Sequence, residues 1–405
     1  MTTSNTNQAF VWVWLPQQSA PVVAGKIELV NGKFHFVYGR SYLQRENAIA
    51  LSPFELPLQK GTFEPAGMNI IHSCLRDAAP DAWGRRVIGY KYPDLEANEL
   101  DYMLLSSSQR IGALDFQQNN EHYQSRTKIT PSLQQLLQAA KSVEKREPLP
   151  AELDNALLHG TSVGGARPKA LIEDGDQHFI AKFSASTDYY DIVKTEFIAM
   201  RLAALVSLNV AEVHLQQVMG KDVLLVKRFD RGKKQSRRLM LSGLSLLQLN
   251  EMEARYASYQ DLADIIRRHF NNPKETLKEL YKRIVFNILI GNTDDHARNH
   301  AAFWDGQSLK LTPAYDICPQ LRTGQEATQA MVLNGESGNY STLKNALSIC
   351  KTYALKQEEA KQIIEHQVSI IKTHWETICA EAQLGEIERQ RLWGTAILNP
   401  YCFTE

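Results

Sequence analysis

The chain has 405 residues, with 45 Lys and Arg against 45 Asp and Glu, and is 43% hydrophobic and 22% charged. This composition is typical of an ordinary globular protein and excludes disorder as its main character, while the length allows two or three domains. A formal net charge of zero excludes the broad electrostatic attraction of an autonomous nucleic-acid binder, so any contact with DNA requires a local patch or a partner.

The cellular compartment is predicted from the cysteines and from the amino terminus. The five cysteines are scattered, odd in number and without CxxC spacing, which is typical of reduced thiols. The first residues lack the positive start and the cleavage site of a signal peptide, and no stretch approaches the roughly 20 apolar residues of a membrane span. We therefore expect a cytoplasmic protein that has no membrane partner.

Residues 1–125 are predicted to form an amino-terminal α+β subdomain. Three β-type runs come first, at residues 11–15, 22–30 and 33–38, and the turn pair Asn31-Gly32 between the last two predicts a hairpin. A helix is predicted around residues 80–86. The polar residues 126–150, which contain one amphipathic helix, are expected to be a linker.

The rest of the chain predicts a β-rich part followed by a helical part. In residues 151–235 a Gly-rich loop precedes strands at 168–172 and 178–183, a helix at 193–206, and strands at 213–218 and 223–229. Helices dominate residues 236–405, with one hairpin at 301–311. This order predicts an α+β fold with two lobes and a cleft between them.

The most informative segment follows an apolar helix that the Gly291-Asn292 pair is expected to end. It contains Asp294, His296 and Asn299, and the predicted hairpin brings Asp316 back to the same place. Phosphoryl transfer requires a carboxylate that orients the attacking hydroxyl, together with an amide oxygen and a second carboxylate that hold Mg²⁺. We therefore predict that Asp294 and His296 are catalytic and that Asn299 and Asp316 bind the metal.

Two other interpretations of this segment stay open at this point. The first is a turn of Asp and Asn residues that caps a helix, with a buried histidine satisfied by hydrogen bonds. The second is a zinc site built from Asp294, His296 and His300, although no fourth ligand lies nearby.

A second segment, residues 159–169, is rich in glycine and precedes a strand. Small residues let backbone N–H groups approach phosphate oxygens closely, and the flanking Arg and Lys add positive charge. The segment lacks the Gly-Lys-Ser/Thr end of a Walker motif, and a flexible hairpin loop is the alternative interpretation. The candidate ATP-binding residues in this segment are Val163, Gly164, Gly165, Ala166, Arg167 and Lys169.

Further candidates lie on the strands and the helix that follow. Lys182 is flanked by apolar residues, as expected of a strand lysine that meets phosphates, and Glu196 on the next helix is its natural partner. The strand at 223–229 ends where the hinge of a two-lobed kinase would face adenine, with an acidic residue near the ribose. The candidate ATP-binding residues here are Lys227, Phe229 and Asp230. The alternatives are an exposed lysine at a strand end, a solvated helix face and a strand that simply leaves its sheet.

The order of these motifs indicates a kinase fold. The Asp-x-His-x-x-Asn order is similar to the catalytic loop of phosphatidylinositol-type kinases, and the hairpin that leads to a metal-binding Asp is similar to the equivalent feature of protein kinases. The expected fold is thus a protein-kinase-like one, related to the phosphatidylinositol kinases. Its parts are the subdomain 1–125, the linker 126–150, an N-lobe 151–235 and a helical C-lobe 236–405.

Over nearly its whole length the chain resembles the HipA family of serine/threonine kinases, the toxins of HipBA-type toxin–antitoxin pairs. The motifs that carry the resemblance lie at residues 51–53, 80–85, 161–170, 226–231, 293–299, 311–317 and 333–336. The resemblance implies that Asp294 is the catalytic base, that Asn299 and Asp316 bind Mg²⁺, and that Lys182 meets the ATP phosphates. It also implies that the backbone at Lys227 and Phe229 faces adenine.

The resemblance further implies regulation and partners. Ser162 matches a loop serine that these kinases autophosphorylate, which disables ATP binding. The implied substrate is an aminoacyl-tRNA synthetase, and the implied partner is a small helix-turn-helix antitoxin, through which the kinase meets DNA indirectly. The alternatives are a non-catalytic co-repressor that acts with such an antitoxin and a small-molecule phosphotransferase.

Overall fold

A computed structural model describes residues 6–126, 131–148, 153, 161, 167–335 and 338–404. The chain divides into two compact units. Unit 1 comprises Met1–Thr187, Gln216–Leu241 and Phe303–Gln307, and unit 2 comprises Asp188–Leu215, Ser242–Ala302 and Ser308–Glu405.

Unit 1 begins with a five-stranded antiparallel sheet of order β4-β3-β2-β1-β5. The strands are β1 (Gln8–Val13), β2 (Val22–Val30), β3 (Lys33–Tyr38), β4 (Thr62–Phe63) and β5 (Leu114–Gln117), accompanied by helices α1 (Arg40–Leu43), α2 (Ser73–Arg76), α3 (Ala82–Lys91) and α4 (Glu99–Leu105). The alternation of side chains along β3 buries Phe34, Phe36 and Tyr38. Val30 pairs with Lys33 across the Asn31-Gly32 turn, which confirms the predicted hairpin.

A second antiparallel sheet has the order β6-β7-β9-β8. Its strands are β6 (Lys169–Asp174), β7 (Gln177–Phe183), β8 (Val213–Val218) and β9 (Lys221–Lys227), and helix α5 spans Leu133–Lys145. Ser132 and Gln135 form a capping box at the start of α5. The apolar face of α5 joins Trp83 of α3 and residues of β6, β7 and β9 in one buried hydrophobic cluster.

This cluster shows that the expected linker takes part in the folded core. Residues 126–150 were expected to connect two domains, but their described helix packs together with α3 and the second sheet. Burial of five apolar side chains of α5 provides the physical reason. Within unit 1 the amino-terminal sheet and the predicted N-lobe strands therefore belong to one compact body, and the boundaries at residues 125, 150 and 235 stay predictions.

Unit 2 is mainly helical. Its helices are α6 (Ile192–Leu205), α7 (Gly243–Leu246), α8 (Tyr259–His269), α9 (Pro273–Ile290), α10 (Leu343–Ser348), α11 (Gln357–Glu381) and α12 (Glu386–Leu392). Proline at its first position favours the start of α9, which is buried along most of its second half.

Shorter elements complete the described chain. A third sheet has the order β10-β11-β12 and is formed by Leu239–Ser242, Ala301–Trp304 and Leu309–Leu311. Short 3₁₀ turns lie at Lys233–Gln235, Ala254–Tyr256, Ala297–Asn299, Cys350–Tyr353 and Pro400–Phe403. Strands β11 and β12 occupy the positions of the hairpin that the sequence predicts at 301–311.

The five cysteines are all free thiols. Among the helices that the structure describes, none has both the length and the apolar character required to cross a bilayer.

A close approach of α3 to Thr161, a residue of the Gly-rich segment, depends on Gly84. A Cβ atom at this position would lie 2.1 Å from the carbonyl oxygen of Thr161, far inside van der Waals contact. The Thr161 hydroxyl in turn accepts a hydrogen bond of 2.9 Å from the backbone N–H of Ser107. Helix α3 thus fixes the position of Thr161 within unit 1.

We expect Gly84→Ala to destabilise the protein by about 1–3 kcal/mol, because the new methyl group meets backbone that cannot move freely. Gly89 is the matched control, since it lies on the exposed side of the same helix and a Cβ atom added there would have nothing within 4 Å. Gly89→Ala should stabilise the protein by about 0.5–1 kcal/mol. Urea denaturation of both variants measures the two effects, and equal stabilities would contradict the contact with Thr161.

Candidate active site

We call residues 292–300, which contain the candidate catalytic residues, the catalytic loop. It begins where helix α9 ends. Gly291 adopts a left-handed conformation with φ of 67°, and Asn292 donates a backbone hydrogen bond of 2.9 Å to Asn287. A side chain at Gly291 would place its Cβ 2.6 Å from the carbonyl oxygen of Ala396. The prediction that the Gly-Asn pair ends the helix is confirmed.

The loop then folds back on itself over a few residues. His296 donates its backbone N–H to the carbonyl of Asp294 at 2.9 Å, and Asn299 donates its backbone N–H to the carbonyl of His296 at 2.8 Å. The side-chain amide nitrogen of Asn299 also donates to the Asp294 carbonyl, at 3.2 Å. These bonds place Asp294 and Asn299 together, as the sequence predicts.

The hairpin of β11 and β12 returns the chain to this loop. Thr312 donates its backbone N–H to Ala301 at 3.0 Å, and the hydroxyl of Tyr315 donates to the carbonyl of Arg298 at 2.7 Å. Asp316 follows directly, with an unusual positive φ of 58°. A non-glycine residue held in this region is a common feature of functional sites.

The electrostatic surroundings of Asp294 differ from those of a capping residue. Partial burial and the neighbouring carboxylates of Asp316 and Asp295 raise the pKa of Asp294, while His296 partly opposes them. Within the described residues no hydrogen bond reaches the Asp294 carboxylate, and the buried Nδ1 of His296 has no hydrogen-bond partner. Both observations argue against the interpretation of the loop as a satisfied helix cap.

Asn299 and Asp316 are suitable ligands for Mg²⁺. Because the amide nitrogen of Asn299 is used inside the loop, its amide oxygen is the atom it can offer to a cation. In the part of the chain that the structure describes, no group of three or more His, Cys, Asp or Glu residues forms a metal cluster. Two oxygen ligands that leave room for water and phosphate are the usual protein contribution to an Mg²⁺ site in phosphoryl transfer.

Sequence reasoning missed the role of Asp295, the residue after Asp294. Burial alone disfavours its charged form, but His300 and the hydrogen bonds from His300 and Tyr259 outweigh this and lower the pKa of Asp295. Two adjacent carboxyl groups therefore have opposite pKa shifts. The only indication in the sequence was a second acidic residue inside the motif.

Two lysines that are predicted to bind ATP lie on neighbouring strands of unit 1. Lys169 on β6 and Lys182 on β7 are direct cross-strand partners. The buried ammonium group of Lys169 lies 3.4 Å from the carboxylate of Asp81, which caps α3. Burial raises the pKa of Asp81, and Lys169 opposes this shift. Asp81 is a second residue whose contact the sequence did not predict.

The predicted hinge residues follow strand β9. Lys227 pairs with Phe179, and the ring of Phe229 packs edge-on against Phe303 with centroids 6.0 Å apart. The carboxylate of Asp230 is buried, and it accepts bonds from Arg228, from Arg231 and from the backbone N–H of Gly112 at 2.8 Å. Burial opposes the charge of Asp230, but the two arginines outweigh it and lower its pKa. Contact of these residues with adenine or ribose stays a prediction.

The remaining candidates are placed as follows. Arg167 lies just before β6, and Glu196 is buried on α6 of unit 2, whereas Lys182 belongs to unit 1. The pairing of Lys182 with Glu196 stays a prediction. Ser162 and the candidate ATP-binding residues Val163, Gly164, Gly165 and Ala166 lie outside the described residues.

The fold matches that of a solved protein. A chain in the complex of HipA, HipB and operator DNA from the Shewanella oneidensis toxin–antitoxin system superposes with a TM-score of 0.69 at 19% identity, covering 95% of this chain and 98% of that chain. This likeness establishes the fold, and the predicted kinase-like α+β class is confirmed.

Family models identify the chain more closely. Residues 161–375 match the HipA-like C-terminal domain, and residues 13–117 match the HipA N-terminal domain. Because the first match covers more than half of the chain, the protein belongs to the HipA family. The second matched range contains β2 to β5 and helices α1 to α4.

Curated relatives match over shorter segments. The serine/threonine-protein kinase toxin HipA of Shewanella oneidensis is 28% identical over 183 residues, which are 38% of this chain and 42% of that protein. A protein named as a kinase, Y4mE of Sinorhizobium fredii, is 30% identical over 146 residues, 34% of this chain and 33% of that protein. The chain thus spans between a third and a half of the length of these relatives.

The opposite pKa shifts of the two adjacent aspartates predict opposite effects on stability. Because the folded-state pKa of Asp294 is raised, ionisation of this residue destabilises the folded protein as the pH rises through that pKa. Asp294→Asn should therefore slightly stabilise the metal-free protein at neutral pH. A lowered folded-state pKa means that Asp295 contributes stability above its unfolded-state pKa. Asp295→Asn should therefore cost about 1.5–3 kcal/mol at neutral pH.

Thermal unfolding of both variants between pH 2 and pH 8 measures these effects. The effect of Asp294→Asn should shrink as the pH falls through the raised pKa of Asp294, whereas the effect of Asp295→Asn should shrink only below the ordinary aspartate pKa of 3.8. Destabilisation of the metal-free protein by Asp294→Asn at neutral pH would contradict the electrostatic description of the loop.

Proposed function

We propose that this protein is an ATP- and Mg²⁺-dependent serine/threonine protein kinase that acts as the toxin of a toxin–antitoxin pair. The observation that carries the proposal is the meeting of Asp294, Asn299 and Asp316 on one loop and its hairpin. A base carboxylate, an amide oxygen and a second carboxylate are the set that phosphoryl transfer uses. Membership of the HipA family and the names of the curated kinases support the same activity.

In this mechanism Asp294 accepts the proton of the substrate hydroxyl. The hydroxyl oxygen forms a bond to the γ-phosphorus of ATP, and the bond from that phosphorus to the bridging oxygen of ADP breaks. In the metal-free protein, burial and the neighbouring carboxylates raise the pKa of Asp294, whereas bound Mg²⁺ would favour the charged form that accepts a proton. The exposure of Asp294 to solvent allows a protein substrate to reach it.

The phosphates of ATP would be held by groups of both signs. When bound, Mg²⁺ neutralises developing negative charge on the phosphates. Asn299 and Asp316 would hold the metal. Lys169 and Lys182 are direct cross-strand partners, and an ATP phosphate would bind beside these two positively charged side chains.

The first functional prediction separates the base from the metal ligand. Asp294→Asn should lower kcat by about 10²–10⁴-fold and leave the Kd for Mg²⁺ and ATP within a few-fold, because the carboxylate acts on the hydroxyl in the transition state. Asp316→Asn should weaken nucleotide binding as well. Transfer from labelled ATP to proteins of a lysate, together with calorimetric titration of ATP, measures both properties.

Asp305→Asn is the control for this experiment, since Asp305 is an exposed residue in the hairpin turn outside the proposed site. It should keep wild-type turnover. Wild-type turnover of Asp294→Asn would show that the catalytic loop has been assigned incorrectly.

We also propose that Ser162 is an autophosphorylation site that inhibits the kinase. Phosphorylation adds a charge of about −1.5 to −2, which would repel the ATP phosphates that a Gly-rich loop is expected to contact. The switch would require an inward and an outward form of this segment, and the sequence has glycine, the residue type that adopts the widest range of backbone conformations, at positions 160, 164 and 165.

Peptide mapping by mass spectrometry tests this switch. After incubation with Mg²⁺ and ATP, the wild-type protein should carry a phosphate on Ser162, and Asp294→Asn should not. Ser162→Ala should stay active for longer under the same conditions. An unmodified Ser162 in active protein would rule out the switch.

The biological role is proposed from the relatives. One curated relative is named a serine/threonine-protein kinase toxin, and the superposed structure is described as a complex with HipB and operator DNA. We infer that this chain is cytoplasmic, phosphorylates an aminoacyl-tRNA synthetase or another translation component, and pairs with a small helix-turn-helix antitoxin that brings it to DNA.

Expression without an antitoxin should therefore arrest growth, and Asp294→Asn should abolish the arrest. Co-expression of a small helix-turn-helix protein encoded beside this chain should relieve it. Growth curves measure both effects. Equal toxicity of the wild-type and Asp294→Asn forms would instead favour a co-repressor or another binding role.

A further inference from the structure

Three buried polar side chains are in contact at the catalytic loop, two from the loop itself and one from helix α8. The Tyr259 hydroxyl donates a hydrogen bond to Oδ2 of Asp295, and Nε2 of His300 lies 2.9 Å from the same oxygen. The rings of Tyr259 and His300 pack edge to face with centroids 5.7 Å apart. Tyr259 is fully buried, and Asp295 and His300 are 4% and 2% exposed. We call these three residues the loop clamp.

The loop clamp joins the two ends of a short segment that contains candidate site residues. Asp295 and His300 bracket residues 296–299, which include His296 and Asn299, and Asp294 directly precedes the bracket. The bond between Asp295 and His300 thus joins the two ends of this short segment. Movement of either end would change the position of Asn299 relative to Asp294.

The clamp is also attached to elements outside the loop. Tyr259 is the first residue of α8, and its backbone N–H donates to Val332 at 3.0 Å. The carbonyl of His300 accepts a bond of 2.6 Å from Gly243, at the start of α7. The carbonyl of Thr293 accepts a bond of 3.0 Å from Ala330. Contacts with these separate parts of unit 2 therefore fix the loop at both ends.

A buried carboxylate requires hydrogen-bond partners, and Asp295 has two in the loop clamp, Tyr259 and His300. Loss of one partner leaves a buried charge less compensated, which favours movement of Asp295 toward water. Asp294 and Asn299 would move with it because they share backbone bonds with this segment. The clamp therefore connects a buried interaction to the relative position of Asp294 and Asn299.

We propose that Tyr259, Asp295 and His300 are positioning residues that hold Asp294 and Asn299 in the geometry required for phosphoryl transfer. This inference rests on the proposed kinase function of the same loop. Because its three side chains are buried, the clamp would act through the backbone between Asp295 and His300 and not through contact with the substrate.

The test uses variants that remove single interactions. Tyr259→Phe removes one hydroxyl and keeps the ring, and Asp295→Asn keeps the shape of the side chain. His300→Gln keeps a side-chain N–H donor, whereas His300→Leu removes it. Tyr281→Phe is the matched control, because Tyr281 is a fully buried tyrosine of unit 2 whose hydroxyl has no hydrogen-bond partner among the described residues.

Two measurements are made at a temperature at which circular dichroism shows that each variant is folded. The first is amide hydrogen exchange of residues 294–300 in the metal-free protein. The second is kcat and KM for phosphoryl transfer from ATP. We expect Tyr259→Phe and Asp295→Asn to speed exchange of these amides and to lower kcat by about 10- to 100-fold with KM nearly unchanged, since a small misplacement is sufficient for such a loss.

His300→Gln should restore most of the activity that His300→Leu loses, and Tyr281→Phe should match the wild-type protein in both measurements. If folded Tyr259→Phe keeps wild-type exchange and kcat, the positioning role is wrong, and a lower melting temperature alone would not rescue it. If Asp295→Asn does not fold, Tyr259→Phe decides the matter.

Failure of the proposed function is distinguishable from failure of this inference. A wild-type protein without phosphoryl transfer overturns the kinase assignment, and hydrogen exchange then decides by itself whether the clamp orders the loop. An active wild-type protein whose clamp variants are equally active overturns the inference alone.

Discussion

The left-handed turn at Gly291 determines where the catalytic loop leaves the core of unit 2. Helix α9 is buried along most of its second half, so its last turn has a fixed position, and the chain must reverse at one residue. The carbonyl of Gly291 accepts backbone bonds from Gln320 at 2.9 Å and from Thr293 at 3.1 Å. The same residue therefore also fixes the segment that follows Asp316, and any side chain there would meet the backbone of Ala396. The loop and the end of its hairpin are held by one constraint.

Adjacent carboxyl groups on this loop perform different tasks because their surroundings differ. Asp295 points into the protein, where hydrogen bonds stabilise its charge, and Asp294 is exposed and lies near the charge of Asp316. The buried residue adds order, whereas the exposed residue is left without hydrogen bonds from the described residues. A pKa raised by burial and by neighbouring carboxylates, as at Asp294, is common at functional sites.

The sequence predicted the elements with local signals well, and the interactions between distant residues poorly. The Asn31-Gly32 hairpin, the end of α9 and the hairpin at 301–311 depend on a few neighbouring residues, and all three are confirmed. The part of α5 in the core of unit 1 was missed because amphipathic periodicity shows that a helix buries one face but not what it packs against. The contacts of Asp81 with Lys169 and of Tyr259 with Asp295 join residues far apart in the chain, so spacing alone could not reveal them.

A crystal structure of the protein with Mg²⁺ and a non-hydrolysable ATP analogue would test the kinase assignment most directly. We predict a metal ion bound by the amide oxygen of Asn299 and the carboxylate of Asp316. We also predict that the carboxylate of Asp294 faces the γ-phosphate without contact to the metal. A nucleotide bound elsewhere, or a metal that neither Asn299 nor Asp316 ligates, would contradict the assignment of this loop as a kinase active site.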